Sequence, residues 1–373
     1  MVLASALALL SSDISTANLR STLTHLSTYP NRNINTDYCT KSAEWIAGEF
    51  RKIPGMEVEL MHYQVKKGRR VVEDRDVVQV VATLRGETDR RVMMGGHFDT
   101  INLAGDPLTA IAPGINDDGS GVAATMECAR LMAQSKWKNT LVFVAFSGEE
   151  QGLLGSAALA ARANSENWQI EALLNNDIIG GSQSGPLKDK KRVRLFSEES
   201  EKHNSRELAR WIEWNARGKV KGFSPWLVLR RDRFQRGGDH TSFNNAGFTG
   251  VRFTETIEAL DQQHNEKDTI EGIDFGYLAN VARVNLVSLQ ALANAGPAPT
   301  DVRYDPKQAH STTIKWKGAP GTSYRVYWRS SSSMLWEGYR DAGEANEITI
   351  QGVNKDDHVF AVGAVGGVPV SVG

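Results

Sequence analysis

The sequence LVFVAFSGEEQG, from Leu141 to Gly152, joins a strand pattern to a pair of adjacent carboxylates. Leu141–Phe146 is a continuous run of apolar residues rich in β-branched and aromatic types, which is typical of a strand buried on both faces of a sheet. The run ends at a Ser-Gly turn signal, and Glu149 and Glu150 follow directly. Ligands of open α/β sheets bind just beyond the carboxyl ends of the strands, so this stretch predicts a functional site there.

Apolar patterns on both sides of this stretch alternate between the two-residue period of strands and the 3.6-residue period of helices. Helical patterns cover Asp13–Leu26, Cys39–Ile53, Val122–Ala133, Leu153–Ala163, Ser205–Ala216 and Phe275–Asn294. Strand patterns cover Val58–Val65, Val77–Leu84, Val92–Gly95, Glu171–Ile179, Val193–Phe196 and Gly250–Phe253. Such alternation predicts an α/β fold with a mixed, mostly parallel central sheet and helices on both faces.

The composition changes after residue 295. The segment Ala295–Thr300 is rich in proline and small residues, as linkers are. Beyond it the sequence shows only short strand patterns, at Thr312–Trp316, Tyr324–Trp328, Glu347–Ile350 and Val359–Val365. We therefore predict two domains, the α/β domain over residues 1–295 and a small C-terminal β-sandwich over residues 296–373.

The overall composition is that of an ordinary globular protein, with 40% hydrophobic and 23% charged residues. The net charge of −1 gives no bulk field that would attract nucleic acid or a membrane surface. Cys39 and Cys128 are too few for a disulfide framework, although a single bridge between them stays open. The apolar stretch Val2–Leu10 is too short to cross a bilayer, so it is either the remnant of a signal peptide or a first helix. We expect no transmembrane segment.

Acids and histidines recur close to the ends of the predicted strands: His97, Asp99, Asp117, Glu149, Glu150, Asp177 and His264. Each alone has an ordinary structural explanation; Asp117, for instance, precedes a helix and is a suitable N-cap. Together, carboxylates and imidazoles form a donor set that suits Zn²⁺ and similar ions. The adjacent Glu149 and Glu150 can divide the roles of metal ligand and general base. Asp99 is placed to orient the imidazole of His97.

These residues stand within motifs that follow one another in a known order. The motifs are His97-Phe98-Asp99, Asn116–Gly121 (NDDGSG), Ser147–Glu150 (SGEE), Asn176-Asp177, Gly238–Phe243 (GDHTSF) and His264 with Asp268-Thr269. In this order they resemble the M28 family of zinc aminopeptidases, over roughly residues 13–294. The joint set is highly specific, whereas any single motif is weak. The resemblance implies a zinc exopeptidase-like α/β fold and a metal-dependent exopeptidase that removes N-terminal amino acids from peptides.

The resemblance also implies two zinc ions per chain, bridged by the carboxylate of Asp117. His97 and Asp177 would complete one of the two sites. Glu150 and His264 would complete the other.

The same resemblance makes Glu149 the general base and gives Asp99 a supporting role behind the ligands. It implies that the peptide bond Asp117–Asp118 is cis. Asp239 and His240 also match the family, and we expect them to be structural or to line the substrate pocket.

One departure from the family concerns the stabilisation of the oxyanion. Several members carry a tyrosine shortly before the Asp-His motif, whereas residues 233–238 here read RFQRGG. Arg236, backbone N–H groups or the metal alone remain as candidates for that role. Four arginines stand before the motif, at positions Arg230, Arg231, Arg233 and Arg236. Because a guanidinium binds carboxylates well, this cluster leaves a carboxypeptidase or dipeptidase as an alternative.

Two further alternatives stay open. Glutaminyl cyclases share the fold but use one zinc ion, and the full set of five ligands favours two. A non-catalytic binding protein, with the C-terminal sandwich as an adhesive module, is expected to have lost at least one ligand. The expected partner is therefore a peptide substrate rather than nucleic acid.

The C-terminal segment resembles a fibronectin type III domain. Trp316 and the strand Tyr324–Trp328 match the core tryptophan and the strand after it, but His358 stands where the usual late tyrosine is found. The resemblance implies a binding or spacing module whose partner is an extracellular ligand. We accordingly expect a secreted or periplasmic protein.

Overall fold

The computed structural model describes residues 14–198, 200, 202–232, 236–307 and 309–372. The segment Val2–Leu10, which the sequence leaves as a signal-peptide remnant or a first helix, lies outside the described residues. None of the helices within the described ranges is long and apolar enough to span a bilayer.

Seven α-helices lie in the described part of the chain: α1 Thr16–Leu26, α2 Asp37–Arg51, α3 Ser120–Met132, α4 Leu154–Ser165, α5 Ser205–Ala216, α6 Asp239–Asn245 and α7 Phe275–Asn294. Helices α5 and α7 begin and end at the predicted residues. Helix α1 begins after Ser15, whose hydroxyl accepts the N–H of Asn18 as an N-cap. The sequence patterns did not predict the short helix α6.

The strands up to residue 255 are β1 Met56–Val65, β2 Arg75–Leu84, β3 Thr88–His97, β4 Asn139–Phe146, β5 Gln169–Asn176, β6 Gln183–Ser184, β7 Leu187–Lys188, β8 Arg192–Phe196, β9 Ser224–Val228 and β10 Gly250–Glu255. The central sheet has the order β1-β2-β4-β3-β5-β10-β8-β9. Its middle strands β4, β3, β5 and β10 are parallel, whereas β1, β2 and β8 pair antiparallel to their inner neighbours. The predicted mixed α/β fold is confirmed.

Strand β4 is buried along its whole length, as its apolar run predicted. Leu141, Phe143 and Ala145 pack into the larger apolar cluster, and the alternate residues pack into a second cluster on the opposite face. This division follows from the two-residue period of a strand. The carboxyl ends of β3, β4 and β5 consequently meet at one edge of a sheet that is covered on both faces.

Local details differ from the sequence-based expectations, and the structure answers one question that the sequence left open. The strand predicted over Glu171–Ile179 ends at Asn176, because Ile178 adopts a positive φ of 60° and turns the chain. Strand β9, at the sheet edge, was not predicted. The bridge between Cys39 and Cys128 does not form, since both are buried free thiols.

The C-terminal part consists of β11 Thr300–Tyr304, β12 Thr312–Lys317, β13 Tyr324–Ser330, β14 Gly338–Gly343, β15 Glu347–Ile350, β16 His358–Ala364 and β17 Val370–Ser371. Strands β11-β12-β15 form one antiparallel sheet and β14-β13-β16-β17 form another. Both sheets contribute to one core that contains Trp316 and Phe360. The arrangement is a small sandwich; its fibronectin type III character and the domain boundary at residue 295 stay predictions.

The sandwich packs directly against the α/β part. Tyr327 and Trp336 belong to the same apolar cluster as Trp211 of α5. The ring of Tyr327 lies 6.1 Å from that of Trp214, in an edge-to-face arrangement. The backbone carbonyl of Met334 accepts a hydrogen bond from the guanidinium of α5 residue Arg210. The two parts therefore share a continuous buried interface.

Candidate metal centre

The first group of candidate ligands gathers at the ends of β3 and β5. Nε2 of His97 lies 3.2 Å from Oδ1 of Asp117 and 3.8 Å from Oδ1 of Asp177. All three side chains are buried. His97 is the last residue of β3 and Asp177 follows the last residue of β5, so adjacent parallel strands bring the two together.

The second group uses the other oxygen of the same aspartate. Nε2 of His264 lies 3.1 Å from Oδ2 of Asp117 and 3.4 Å from Oε2 of Glu150. Glu150 follows β4, and His264 lies in the loop after β10 with a φ of 57°. Asp117 therefore belongs to both groups, with one carboxylate oxygen in each.

The donor atoms of these groups fit metal ions. In each group the three donor atoms lie within 4.8 Å of one another. Nε2 of His97, Oδ2 of Asp117 and Oδ1 of Asp177 are buried and lack a hydrogen-bond partner among the described residues. Buried polar atoms are rarely left without partners, so these atoms are suited to hold a cation. Imidazole with carboxylate oxygens is a donor set that zinc accepts.

Backbone hydrogen bonds fix the position of Asp117. The carboxylate of Asp268 accepts the N–H groups of Asn116 and Asp117, both at 2.8 Å. The peptide bond between Asp117 and Asp118 is cis, as the resemblance implied. Asp118 does not enter the ligand groups; its carboxylate accepts the N–H groups of His97 and Gly121 at 3.1 and 2.9 Å. These hydrogen bonds connect the end of β3 to the start of α3.

Two glycines allow this close packing. A Cβ atom on Gly96 would lie 2.5 Å from Oδ2 of Asp118, and one on Gly121 would lie 2.4 Å from the same oxygen. Both distances are far below van der Waals contact. Gly96 and Gly121 therefore allow the carboxylate of Asp118 to lie close to the end of β3.

Asp99 contacts the site through both its backbone carbonyl and its side chain. Nδ1 of His97 donates to the backbone carbonyl of Asp99 at 3.1 Å, whereas the Asp99 carboxylate lies 3.6 Å away. That carboxylate instead accepts the backbone N–H groups of Glu149 and Glu150, each at 3.2 Å. The imidazole is therefore oriented by the carbonyl group, and the side chain holds the Glu149-Glu150 turn.

Glu149 lies beside the ligand groups without belonging to either. It keeps a partly exposed surface, while Glu150 is buried. Burial, together with the negative charges of Asp177, Asp99 and Asp117, outweighs the opposing effect of His97 and raises the pKa of Glu149 to about 7. Bound dications would lower this pKa, because they stabilise the charged form.

The Asp-His motif, Asp239-His240, lies at the start of α6, close to the two ligand groups. Burial, with the nearby Glu149 carboxylate, raises the pKa of Asp239 well above its usual value. Burial, with the neighbouring Arg252, lowers the pKa of His240 to about 3, so this imidazole is neutral at physiological pH. Both side chains are buried, and Nε2 of His240 lies 3.8 Å from Glu198.

The arginine cluster is largely balanced by acids. Arg231 pairs with Glu198 at 2.6 Å, and Arg236 pairs with Glu258 at 3.1 Å. Arg230 is exposed and donates to a backbone carbonyl, and Arg233 lies outside the described residues. The cluster as described is therefore not an open pocket of unpaired cations.

Sequence reasoning missed two residues that contact the ligands. Asp268 was quoted within a motif but was given no role, although it accepts the N–H of Asp117. Arg252 lies 3.1 Å from Oδ2 of Asp177 and is fully buried. The available signal was an arginine inside the otherwise apolar strand prediction Gly250–Phe253, since a charged residue is seldom fully buried without a partner.

Comparisons with known proteins agree with this fold. The chain is 34% identical to a probable zinc metalloprotease of Leptosphaeria maculans, over 95% of this chain and 92% of the relative. The solved structure of the LapA aminopeptidase of Legionella pneumophila superposes with a TM-score of 0.61 at 20% identity, covering 76% of this chain and 73% of that one. A glutaminyl cyclase of Macrostomum lignano gives a TM-score of 0.61 at 17% identity, covering 75% and 90%.

The family model for Peptidase family M28 matches residues 79–289, which include all the candidate ligands and more than half of the chain. Together with the extent of the similarity to the Leptosphaeria relative, this match shows that the chain belongs to peptidase family M28.

Proposed function

We propose that this chain is a zinc-dependent aminopeptidase that uses two zinc ions and Glu149 as general base. The observation that carries the proposal is the shared carboxylate: Asp117 places one oxygen in each of two three-residue ligand groups. Membership of a peptidase family makes amide hydrolysis the reaction class. The name of the Leptosphaeria relative supports zinc as the metal.

Zinc, when bound by these groups, supplies Lewis-acid activation of a water molecule and of the scissile carbonyl. Glu149 takes the proton of the attacking water and delivers it to the leaving amine, which is ordinary general acid–base catalysis. The carboxylate of Asp99 keeps Glu149 at the edge of the site through the N–H group of that residue. Asp268 holds Asp117 in place during the reaction in the same manner.

Recognition of a free N-terminal amine is part of this proposal. A neutral amine nitrogen is a donor that zinc accepts, so the substrate amine would bind one of the two ions and select the end of the peptide. A cavity of about 600 Å³ adjoins Asn116 and has Gly181 and Gln262 in its wall. Neither Glu149 nor any of the candidate ligands lines this cavity, so we do not assign it to the substrate.

Aminopeptidase activity is favoured over the carboxypeptidase or dipeptidase alternative by the pairing of the arginines. Arg236 and Arg231 each have a carboxylate partner, so a substrate carboxylate would have to compete with Glu258 or Glu198. A glutaminyl cyclase with one zinc ion is disfavoured by the presence of both complete ligand groups. The same complete groups argue against a protein that only binds.

One experiment separates these functions. Full-length protein is dialysed against chelator, reconstituted with Zn²⁺, and assayed on aminoacyl-p-nitroanilides, on N-blocked peptides and on N-terminal glutaminyl peptides. We expect release of the N-terminal residue from free peptides only, and about two zinc ions per chain by elemental analysis. Release of the C-terminal residue from N-blocked peptides, without hydrolysis of aminoacyl-p-nitroanilides, would establish the carboxypeptidase. Cyclisation of glutamine would establish the cyclase, and no turnover the binding protein.

We also propose that the protein acts outside the cytoplasm and that the sandwich binds an extracellular ligand. The support for this is the resemblance of the sandwich to a fibronectin type III module. Fractionation of the native host with an antibody against the chain tests the location, and finding the protein in the cytoplasm alone would exclude export.

A further inference from the structure

Arg252 is a buried cation with no place in the proposed chemistry, and it touches a candidate metal ligand. It lies in β10, which pairs in parallel with β5 in the register Arg252–Asn175. The arginine is fully buried, and its Nε lies 3.1 Å from Oδ2 of Asp177. Burying a guanidinium is costly unless it is paired, so this contact and its surroundings require an explanation.

Nη1 of the guanidinium makes two further contacts. Nη1 donates to the backbone carbonyl of Gly237 at 3.0 Å and lies 3.6 Å from Oδ2 of Asp232. The neighbouring Gly238 leaves room for this approach: a Cβ there would lie 3.3 Å both from Cδ of Arg252 and from Oδ2 of Asp177. Arg252 thus contacts the loop before the Asp-His motif on one side and Asp177 on the other.

The two oxygens of Asp177 have different neighbours. Oδ1 faces Nε2 of His97 and belongs to the ligand group with His97 and Asp117. Oδ2 is the oxygen that Arg252 contacts. When one oxygen of a carboxylate pairs with a buried cation, the other oxygen is kept in one orientation. Groups that contact metal ligands in this way orient them and so raise the affinity for the metal.

Among the described residues, no arginine or lysine pairs with the carboxylate of Glu150 in the second ligand group. That carboxylate has His264 as its ion-pair partner. Arg70 does reach Glu150, but its guanidinium donates to the backbone carbonyl. Loss of Arg252 should therefore affect one metal site and spare the other.

We propose that Arg252 is a positioning residue that holds Asp177 as a single-oxygen ligand and so maintains the affinity of the His97–Asp117–Asp177 site. This inference rests on the proposed function, since it requires that both ligand groups bind zinc. Groups that orient metal ligands typically contribute 10- to 100-fold to metal affinity. We expect a loss of that size at one site after removal of the guanidinium.

The test is a zinc titration of full-length, chelator-treated protein in competition with a chromophoric chelator. The variants are Arg252→Met, which removes the charge, and Arg252→Lys, which keeps it. Arg90→Met is the matched control, because Arg90 lies at the opposite end of the sheet and pairs with Glu171. Circular dichroism and thermal unfolding of each variant establish that it is folded before the titration is interpreted.

We expect two zinc ions in the wild type and in Arg90→Met, with unchanged affinities. In Arg252→Met, one site should weaken about 10- to 100-fold while the other keeps its affinity, and Arg252→Lys should recover part of the loss. Substitution of Co²⁺ should show the visible absorption of one site diminished in parallel. Unchanged or tightened binding at both sites of a folded Arg252→Met, or equal weakening of both, would overturn the inference. Failure of the wild type to bind two ions would instead contradict the proposed function.

Discussion

The carboxylate of Asp99 accepts the backbone N–H group of Glu149 at 3.2 Å, and its second oxygen accepts the N–H group of Glu150 at the same distance. A buried carboxylate with two such bonds fixes the turn that carries both glutamates. Hydrogen bonds to charged groups contribute about 1.5–3 kcal/mol each. The geometry of the proposed base therefore depends on a residue that touches neither substrate nor metal.

Asp99→Asn should lower kcat by about 10- to 100-fold while both zinc ions remain bound. Asparagine offers one acceptor oxygen, so one of the two glutamate N–H groups loses its charged partner and the turn loosens. The measurement is steady-state kinetics on an aminoacyl-p-nitroanilide together with zinc analysis. Asp76→Asn, at a half-exposed ion pair with His62, serves as the control. Loss of zinc in Asp99→Asn would show that the residue acts on the ligands instead.

Glu149→Gln should reduce kcat by about 10²- to 10⁴-fold, the usual contribution of a general base. Because Glu149 lies outside both ligand groups, the zinc content should stay at two per chain. Steady-state kinetics measures kcat, and elemental analysis of the same preparation measures the zinc content. Glu150→Gln is the comparison, since it should lose zinc from one site. A Glu149→Gln protein with near wild-type kcat would remove Glu149 from the mechanism.

Removal of metal should abolish activity and lower the free energy of unfolding. Ions that bind the folded chain alone stabilise it by RT ln(1 + [L]/Kd), which is about 2.7 kcal/mol at a concentration 100-fold above Kd. We expect a lower Tm after chelation and full recovery on readdition of Zn²⁺. Calorimetry with and without chelator tests this, and an unchanged Tm would indicate that the two ligand groups do not hold ions in solution.

Glu255 should make stability depend on pH. Burial is the main cause that raises the pKa of Glu255 to about 8, although bonds from Asn116 and Gly181 oppose the shift. A carboxyl group with a raised folded-state pKa binds its proton more tightly when folded, so its contribution to stability falls as pH rises from about 4.5 to about 8. The difference between wild type and Glu255→Gln should therefore be small near pH 5.

Toward pH 8 the free energy of unfolding of Glu255→Gln should exceed that of the wild type by on the order of 2–4 kcal/mol, at about 1.4 kcal/mol per pKa unit. Urea unfolding of both proteins after chelator treatment provides the measurement across this range, so that no bound ion shifts the pKa of Glu255. A difference that does not vary with pH would show that Glu255 is not protonated in the folded protein.

Tyr327→Ala should destabilise the whole chain, because this side chain joins the sandwich to α5. It is buried, and its ring lies 6.1 Å from that of Trp214 and 5.8 Å from that of Trp336. Truncation of a large buried aromatic residue costs about 3–5 kcal/mol. We expect one cooperative thermal transition that moves to lower temperature as a unit. Two separate transitions, with only one displaced, would show that the sandwich folds independently.

The fold and the candidate ligands were predictable because their signals are local in sequence. The apolar run of β4 gives a strand buried on both faces, and its termination before Glu149 places carboxylates at a sheet edge. His97 and Asp177 follow from the same logic, since each stands at the end of a predicted strand. The motif order then adds His264, whose loop carries no periodic signal of its own.

The supporting contacts were not predictable in the same way. The roles of Asp268 and Arg252 depend on contacts across 151 and 75 residues of chain, which no pattern in the sequence encodes. The orienting role of Asp99 stays a prediction, but the nearer contact with the imidazole, from the backbone carbonyl of Asp99, was not predictable from the sequence. The sandwich was predicted as strands, but its packing on Trp214 was not.

By itself, the sequence determined which chemistry this protein can perform, because strand periodicity and residue type fix where carboxylates and imidazoles emerge from the sheet. Only the tertiary structure decided how they cooperate. The division of the Asp117 oxygens between two groups, and the placing of Arg252 behind Asp177, arise from strand neighbours and loop contacts that are distant in the chain. Distances of 3–4 Å between such residues are a property of packing, which sequence spacing does not specify.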